Sequence, residues 1–176
     1  MKSLPLIFLS LLCLFTSCSR KNENELFTEG KDAEEQKNFQ PAVDRYEEVV
    51  SRFRESPYAE SALYRAAVIY NNDLHDIPKA VDAYQRFCSL FPGSKQAATA
   101  LFLSGFLLNN ELHKIDSAKN AYETFLQKYP EHELAVSARF ELENLGKEPG
   151  QFMQNHVASN SPADSAAPQG KKNSKQ

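Results

Sequence analysis

The stretch Asn71-Asn72-Asp73-Leu74-His75-Asp76-Ile77-Pro78-Lys79-Ala80 returns 38 positions later as Asn109-Asn110-Glu111-Leu112-His113-Lys114-Ile115-Asp116-Ser117-Ala118. The same offset joins Ala42 to Ala80 and Ala118, Tyr46 to Tyr84 and Tyr122, and Phe53 to Phe91 and Tyr129. It also relates Leu26, Tyr64, Phe102 and Phe140. A fixed period of a few tens of residues marks stacked supersecondary units, none of which can bury its apolar face alone. The period predicts a repeat solenoid.

Within each unit the apolar residues recur at helical spacing, as in Ala42, Val43, Tyr46, Val49, Val50 and Phe53. Helices are expected over 26–37, 39–53, 57–70, 77–91, 96–108, 115–129 and 133–145, with 71–76 as a loop. Pro41 falls in a first turn, where its missing N–H costs nothing. Ser56-Pro57 reads as an N-cap followed by a helix start, and Ser94 caps the fifth helix. Pro92-Gly93 breaks the chain, Pro130 closes the sixth helix, and Gly146 with Pro149 ends the seventh. The fold class is an all-α solenoid of three helical hairpins plus a C-terminal capping helix. In that last helix Arg139 and Glu143 replace core residues and make a wet outer face, while Leu134, Val136, Phe140 and Leu142 are expected to cover the third hairpin.

The ends of the chain differ in character. Lys2 and the apolar run 4–15 have the charge and length of a signal peptide, too short to span a bilayer. The run ends in Leu14-Phe15-Thr16-Ser17-Cys18, small residues before a cysteine that resemble a bacterial lipobox. The domain plan is a lipoprotein signal at 1–18 with Cys18 lipidated, a short linker at 19–25, the repeat domain at 26–146 and a disordered tail at 147–176. The tail is rich in Ser, Ala, Asn, Gln, Pro and Lys, with little to bury. The linker reaches at most about 25 Å, which keeps the folded body near the membrane surface.

A net charge of −3 does not supply the basic footprint of a nucleic-acid binder. Of three cysteines, Cys13 leaves with the signal and Cys18 carries lipid, so Cys88 remains, at a core position aligned with Val50 and Leu126. His75 and His113 are repeat-equivalent loop residues, and no His-Glu-x-x-His motif accompanies any of the four histidines. There is no Gly-rich phosphate loop, nucleophile elbow or Cys-x-x-Cys, and the carboxylates are mixed with Lys and Arg as on solvated faces. The expectation is a protein without enzymatic activity, metal or cofactor.

The repeat resembles the tetratricopeptide motif. That motif places a small residue in helix A (Gly30, Ala67, Gly105) and another early in helix B (Ala42, Ala80, Ala118). An aromatic follows four residues later (Tyr46, Tyr84, Tyr122), and proline stands at the exit (Pro92, Pro130). The longer period, with Phe91-Pro92-Gly93-Ser94 before Ala97-Ala98-Thr99-Ala100-Leu101, is similar to the repeats of envelope proteins. Those are the BamD-type lipoprotein of the outer-membrane β-barrel assembly machinery and the periplasmic repeat protein of the Tol-Pal system. The resemblance implies a membrane-anchored scaffold of the bacterial envelope, most simply an outer-membrane lipoprotein facing the periplasm, with protein or peptide partners. It also implies a groove lined by Phe27, Lys31, Glu34, Glu35, Tyr64, Val68, Asn71, Asn72, Phe102, Phe106, Asn109, Asn110, Phe140 and Asn144. Aromatics would supply rigid contact area there, and Asn amides would pair with a peptide backbone. The alternatives are that these aromatics only pack between helices and that the Asn pairs only end them. The alternative function is a glycan- or peptidoglycan-associated lipoprotein, against which the absence of Trp counts.

Overall fold

The computed structural model describes residues 20–147. The expected signal peptide, Cys18 as the expected lipidation site, and nearly all of the expected tail lie outside the described residues. Seven helices occur among the described residues: α1 (Glu23–Glu35), α2 (Phe39–Arg52), α3 (Ala59–Asn72), α4 (Ile77–Leu90), α5 (Ala97–Asn110), α6 (Ile115–Lys128) and α7 (Ala135–Glu143). Each packs on the next in sequence, so α1 and α2, α3 and α4, and α5 and α6 form three hairpins and α7 stands against α6. This is a tetratricopeptide-like α-solenoid, with α1, α3, α5 and α7 as A helices and α2, α4 and α6 as B helices.

One side-chain arrangement repeats through the stack. Tyr46, Tyr84 and Tyr122 are buried on the B helices, and each receives an A-helix aromatic: Phe27 at 5.7 Å, Tyr64 at 6.2 Å and Phe102 at 5.8 Å between ring centroids. Phe87 and Phe125, one turn further along α4 and α6, close over the same aromatics at 5.2 and 6.0 Å. Full burial of a side chain of that size stabilises the fold by about 1.5–3 kcal/mol. Ala42, Ala80 and Ala118 are fully buried at the opposite step of the contact. Gly30, Ala67 and Gly105 let the tyrosines approach the A-helix backbone, and a β-carbon on Gly105 would sit 3.0 Å from Tyr122 Cε1.

The structure corrects the register of the first hairpin. The loop between α1 and α2 has three residues, 36–38, whereas 73–76 and 111–114 have four. Leu26 therefore corresponds to Leu63, both fully buried, and not to Tyr64. Phe27 takes the aromatic position instead. All three loops pass through one residue in the left-handed region, Lys37 at φ 60° and His75 and His113 at φ 51°.

Helix boundaries differ in further places. Asn22 forms a capping box with Glu25, its Oδ1 accepting the Glu25 N–H at 2.9 Å and its own N–H reaching Glu25 Oε2 at 3.0 Å. That reciprocal pair draws Glu23–Glu25 into α1 and out of the expected linker. Ser56 and Ser94 stand three residues ahead of α3 and α5 and close a turn before each helix. Their hydroxyls accept the N–H of Tyr58 at 3.2 Å and of Gln96 at 3.1 Å. His132 does the same before α7, its Nδ1 accepting the Leu134 N–H at 3.1 Å. The Asn pairs are not loop residues; Asn72 and Asn110 are the last residues of α3 and α5.

The last helix is shorter than expected and rotated in what it covers. Ala135 and Ala138 are buried, and Leu134, Leu142 and Leu145 pack partly buried against the core. Arg139 and Glu143 face solvent. Val136 and Phe140, expected to cover the third hairpin, are 73% and 46% exposed. Small residues bring α7 close to α6, which leaves its larger apolar side chains on the outer side.

Candidate interaction face

The A-helix face carries a cleft of about 530 Å³ between α1, α3 and the start of α5. Tyr64 and Val68 line its apolar wall with Phe87 beneath, and Glu34, Glu60, Ser61, Arg65 and Gln96 supply polar groups. Helical spacing sets this row, because residues 60, 61, 64, 65 and 68 recur at steps of three and four along α3. Glu60 Oε1 accepts the Ser94 hydroxyl at 2.7 Å, which ties the start of α3 to the turn before α5 and fixes one rim.

The other rim is a three-helix polar junction. The Tyr46 hydroxyl of α2 donates to Glu34 Oε2 at 2.6 Å, and Arg65 Nη1 of α3 donates to both Glu34 oxygens at 3.1 and 3.0 Å. Burial first, and then the Glu34 carboxylate accepting its proton, push the Tyr46 hydroxyl well above the ordinary tyrosine range. It remains a neutral donor at any physiological pH. Behind the junction, Arg86 of α4 grips Glu47 of α2 with two nitrogens at 3.0 and 2.8 Å. Bidentate pairs of this kind fix orientation as well as distance, so the first two hairpins are held in one relative position.

The expected groove residues fall into separate groups. Glu34, Tyr64 and Val68 line the cleft. Phe27 stacks on Tyr58 at 5.0 Å, and Phe102 is engaged with Tyr122 and Phe125. Asn71 Nδ2 donates to Asn72 Oδ1 at 2.7 Å. Asn109 is 8% exposed and its Oδ1 accepts the Gly146 N–H at 3.2 Å, so it joins α5 to the end of α7. Asn110 and Asn144 donate to the carbonyls of Phe106 and Phe140 in their own helices at 3.0 and 2.7 Å. Phe106, 37% exposed, and Phe140 stand at the C-terminal end, away from the cleft.

Arg65, Glu60, Ser61 and Gln96 were not singled out by the repeat pattern. The signal for Arg65 was its departure from that pattern, since the same position is Leu103 in the next hairpin and Glu141 in α7. Cys88 is half-buried, its thiol pushed up to about 11 by burial, and its Sγ lies 3.4 Å from the Ala97 carbonyl. Among the described residues no group of three or more His, Cys, Asp and Glu side chains is placed to hold a metal ion.

The sequence profile of the family YfiO, outer membrane lipoprotein, matches residues 19–148. The chain belongs to this family. YfiO membership and the helical architecture together make it an envelope-associated protein-interaction scaffold. No curated protein sequence matches the chain. Among solved structures it is similar to the TPR domain of Sgt2 from Aspergillus fumigatus, with 19% identity and a TM-score of 0.48 over 84% of this chain and 90% of that one.

Proposed function

We propose that the protein is held at the outer membrane through lipid on Cys18, faces the periplasm, and binds an extended segment of another envelope protein in the α1–α3–α5 cleft. Its role is that of an adaptor in outer-membrane protein assembly or envelope maintenance. The observation that carries this reading is the composition of the cleft. Tyr64 and Val68 offer one apolar wall of the size an aliphatic side chain fills, and Glu60, Ser61 and Gln96 offer acceptors and donors for a peptide backbone. The cleft is held open by ion pairs between helices and needs little reorganisation to be occupied. Family membership supports the envelope setting.

Titration of the protein with extended peptides and, separately, with peptidoglycan fragments tests the reading. Peptides are expected to bind and to lose affinity in Val68→Asp, whose charge would lie in the apolar wall. Binding of the glycan fragments with no binding of peptides would overturn it. Anchoring is tested separately: Cys18→Ser is expected to leave the membrane fraction, since multiple acyl chains hold a protein where a single chain is marginal.

A further inference from the structure

A second cavity, of about 600 Å³, lies where the chain enters α1 beside the end of α2. Arg20, Lys21, Asn22, Ser51, Arg52 and Phe53 line it, and among the described residues no carboxylate does. The nearby carboxylates are already engaged. Glu29 pairs with Lys21 and with Arg45 Nε at 3.1 Å, and Glu48 pairs with Arg52 and with Arg45 Nη1 at 3.1 Å. Two carboxylates against three cations leave one positive charge over. Arg20, which forms no ion pair among the described residues, adds another. Of the acidic residues in the first turn of α1, Glu25 accepts the Asn22 N–H, and neither it nor Glu23 lines the cavity.

The cavity is held in shape by Arg52. Its Nη2 donates to the Lys21 carbonyl at 2.9 Å, which pins the segment ahead of α1 to the end of α2. Its guanidinium carbon lies 4.8 Å from the centroid of the Phe53 ring, and its buried Nε has no hydrogen-bond partner among the described residues. Arginine here departs from the repeat. The equivalent residue 38 positions on is Leu90, which packs partly buried against the core. In the first hairpin that packing position has become part of a basic wall, and a planar guanidinium suits phosphate oxygens.

Arg20 follows Cys18 by two residues, a span of at most about 7 Å. With lipid on Cys18, as proposed above, the cavity stays within reach of the headgroups of the bilayer that holds the acyl chains. We infer that it takes the phosphate of an anionic phospholipid headgroup. Basic side chains are drawn to an anionic surface over about a Debye length, so the attraction acts only on a body already kept close. The contact does not replace the anchor; it turns the end of the first hairpin toward the membrane.

Photocrosslinking of the acylated full-length protein in phosphatidylcholine nanodiscs tests this. The probe is a trace lipid with a diazirine on its headgroup, either an anionic phosphatidylglycerol or a zwitterionic phosphatidylcholine. At about 0.05 M salt, adducts on peptides spanning 19–25 and 50–55 are expected to be at least about fivefold more abundant with the anionic probe, and to approach parity at about 0.5 M. Arg20→Glu and Ser51→Glu, both at exposed positions, are each expected to bring the two probes to parity without moving the thermal midpoint. Equal labelling of the wild type by the two probes would overturn the inference, as mere closeness to the bilayer would produce it. Anionic adducts concentrated on the peptide holding Lys171, Lys172 and Lys175 would overturn it too. So would loss of the adducts on adding about 10 mM inorganic phosphate at constant ionic strength, which marks a site for soluble phosphate. The inference rests on the anchoring at Cys18, and the two fail differently. A wild type that leaves the nanodiscs as Cys18→Ser does refutes both, whereas an anchored protein labelled equally by both probes refutes the cavity alone.

Discussion

The ring of Tyr46 lies so close over Gly30 that a β-carbon there would stand 2.6 Å from its Cε1 and 2.8 Å from its Cδ1. The ring cannot swing away, because it is fully buried and its hydroxyl is bound to Glu34. Gly30→Ala should therefore cost about 1–3 kcal/mol through overpacking, more than the helix propensity it gains. The equivalent contact at Gly105 is looser, at 3.0 Å, and Ala67 already occupies that position in the second hairpin. Gly105→Ala should be close to neutral. Urea unfolding of the two variants checks the contrast.

The two tyrosines differ again at their hydroxyls. Tyr46 gives a charge-assisted hydrogen bond to Glu34, whereas the buried Tyr122 hydroxyl has no hydrogen-bond partner among the described residues. Tyr46→Phe should destabilise by about 1–2 kcal/mol, since it removes a bond to a charged acceptor. Tyr122→Phe removes a buried unsatisfied group and should be neutral or stabilising. Equal losses in thermal unfolding would contradict this reading of the junction.

How far the sequence led can be seen at these same residues. The tyrosines, the alanines opposite them and the three-hairpin plan were legible because each recurs at one offset. The shift of Leu26 was not, because a loop one residue shorter moves a whole helix without changing its composition. Asn109 was read as a groove residue for a related reason. Its partner is the Gly146 N–H, 37 residues away, and hydrogen bonds between elements leave no periodic trace. His132 shows the converse, for nothing in a histidine announces that its Nδ1 will replace a serine hydroxyl in a turn. Arg65 was missed because the pattern rewards sameness, and a binding surface is built where repeats differ.

The left-handed turns carry a measurable cost. His75 and His113 hold φ near 51°, a region that costs a bulky residue about 1–2 kcal/mol and glycine almost nothing. Part of the gain is lost to the greater freedom of glycine in the unfolded chain. His75→Gly and His113→Gly should each stabilise by about 0.5–1 kcal/mol, and β-branched replacements should destabilise. Paired denaturation curves decide it.

Stability should also vary with pH through Glu141. Burial raises its carboxyl above the ordinary value of 4.5, so the folded protein holds this proton more tightly than the unfolded chain does. The favourable contribution is complete below the unfolded value and is lost as pH rises through the folded one. Glu141→Gln should therefore raise the midpoint at pH 7 by about 1–3 °C and change little at acid pH. A gain confined to low pH would reverse the assignment.

The central claim is that the A-helix cleft of an anchored scaffold receives another protein. The most direct measurement is photocrosslinking in intact envelopes, with a benzophenone side chain at Val68 in the cleft or at Gln85 on the exposed side of α4. Discrete protein adducts are expected from Val68 and not from Gln85. No adduct from Val68, or the same adducts from both positions, would contradict the claim.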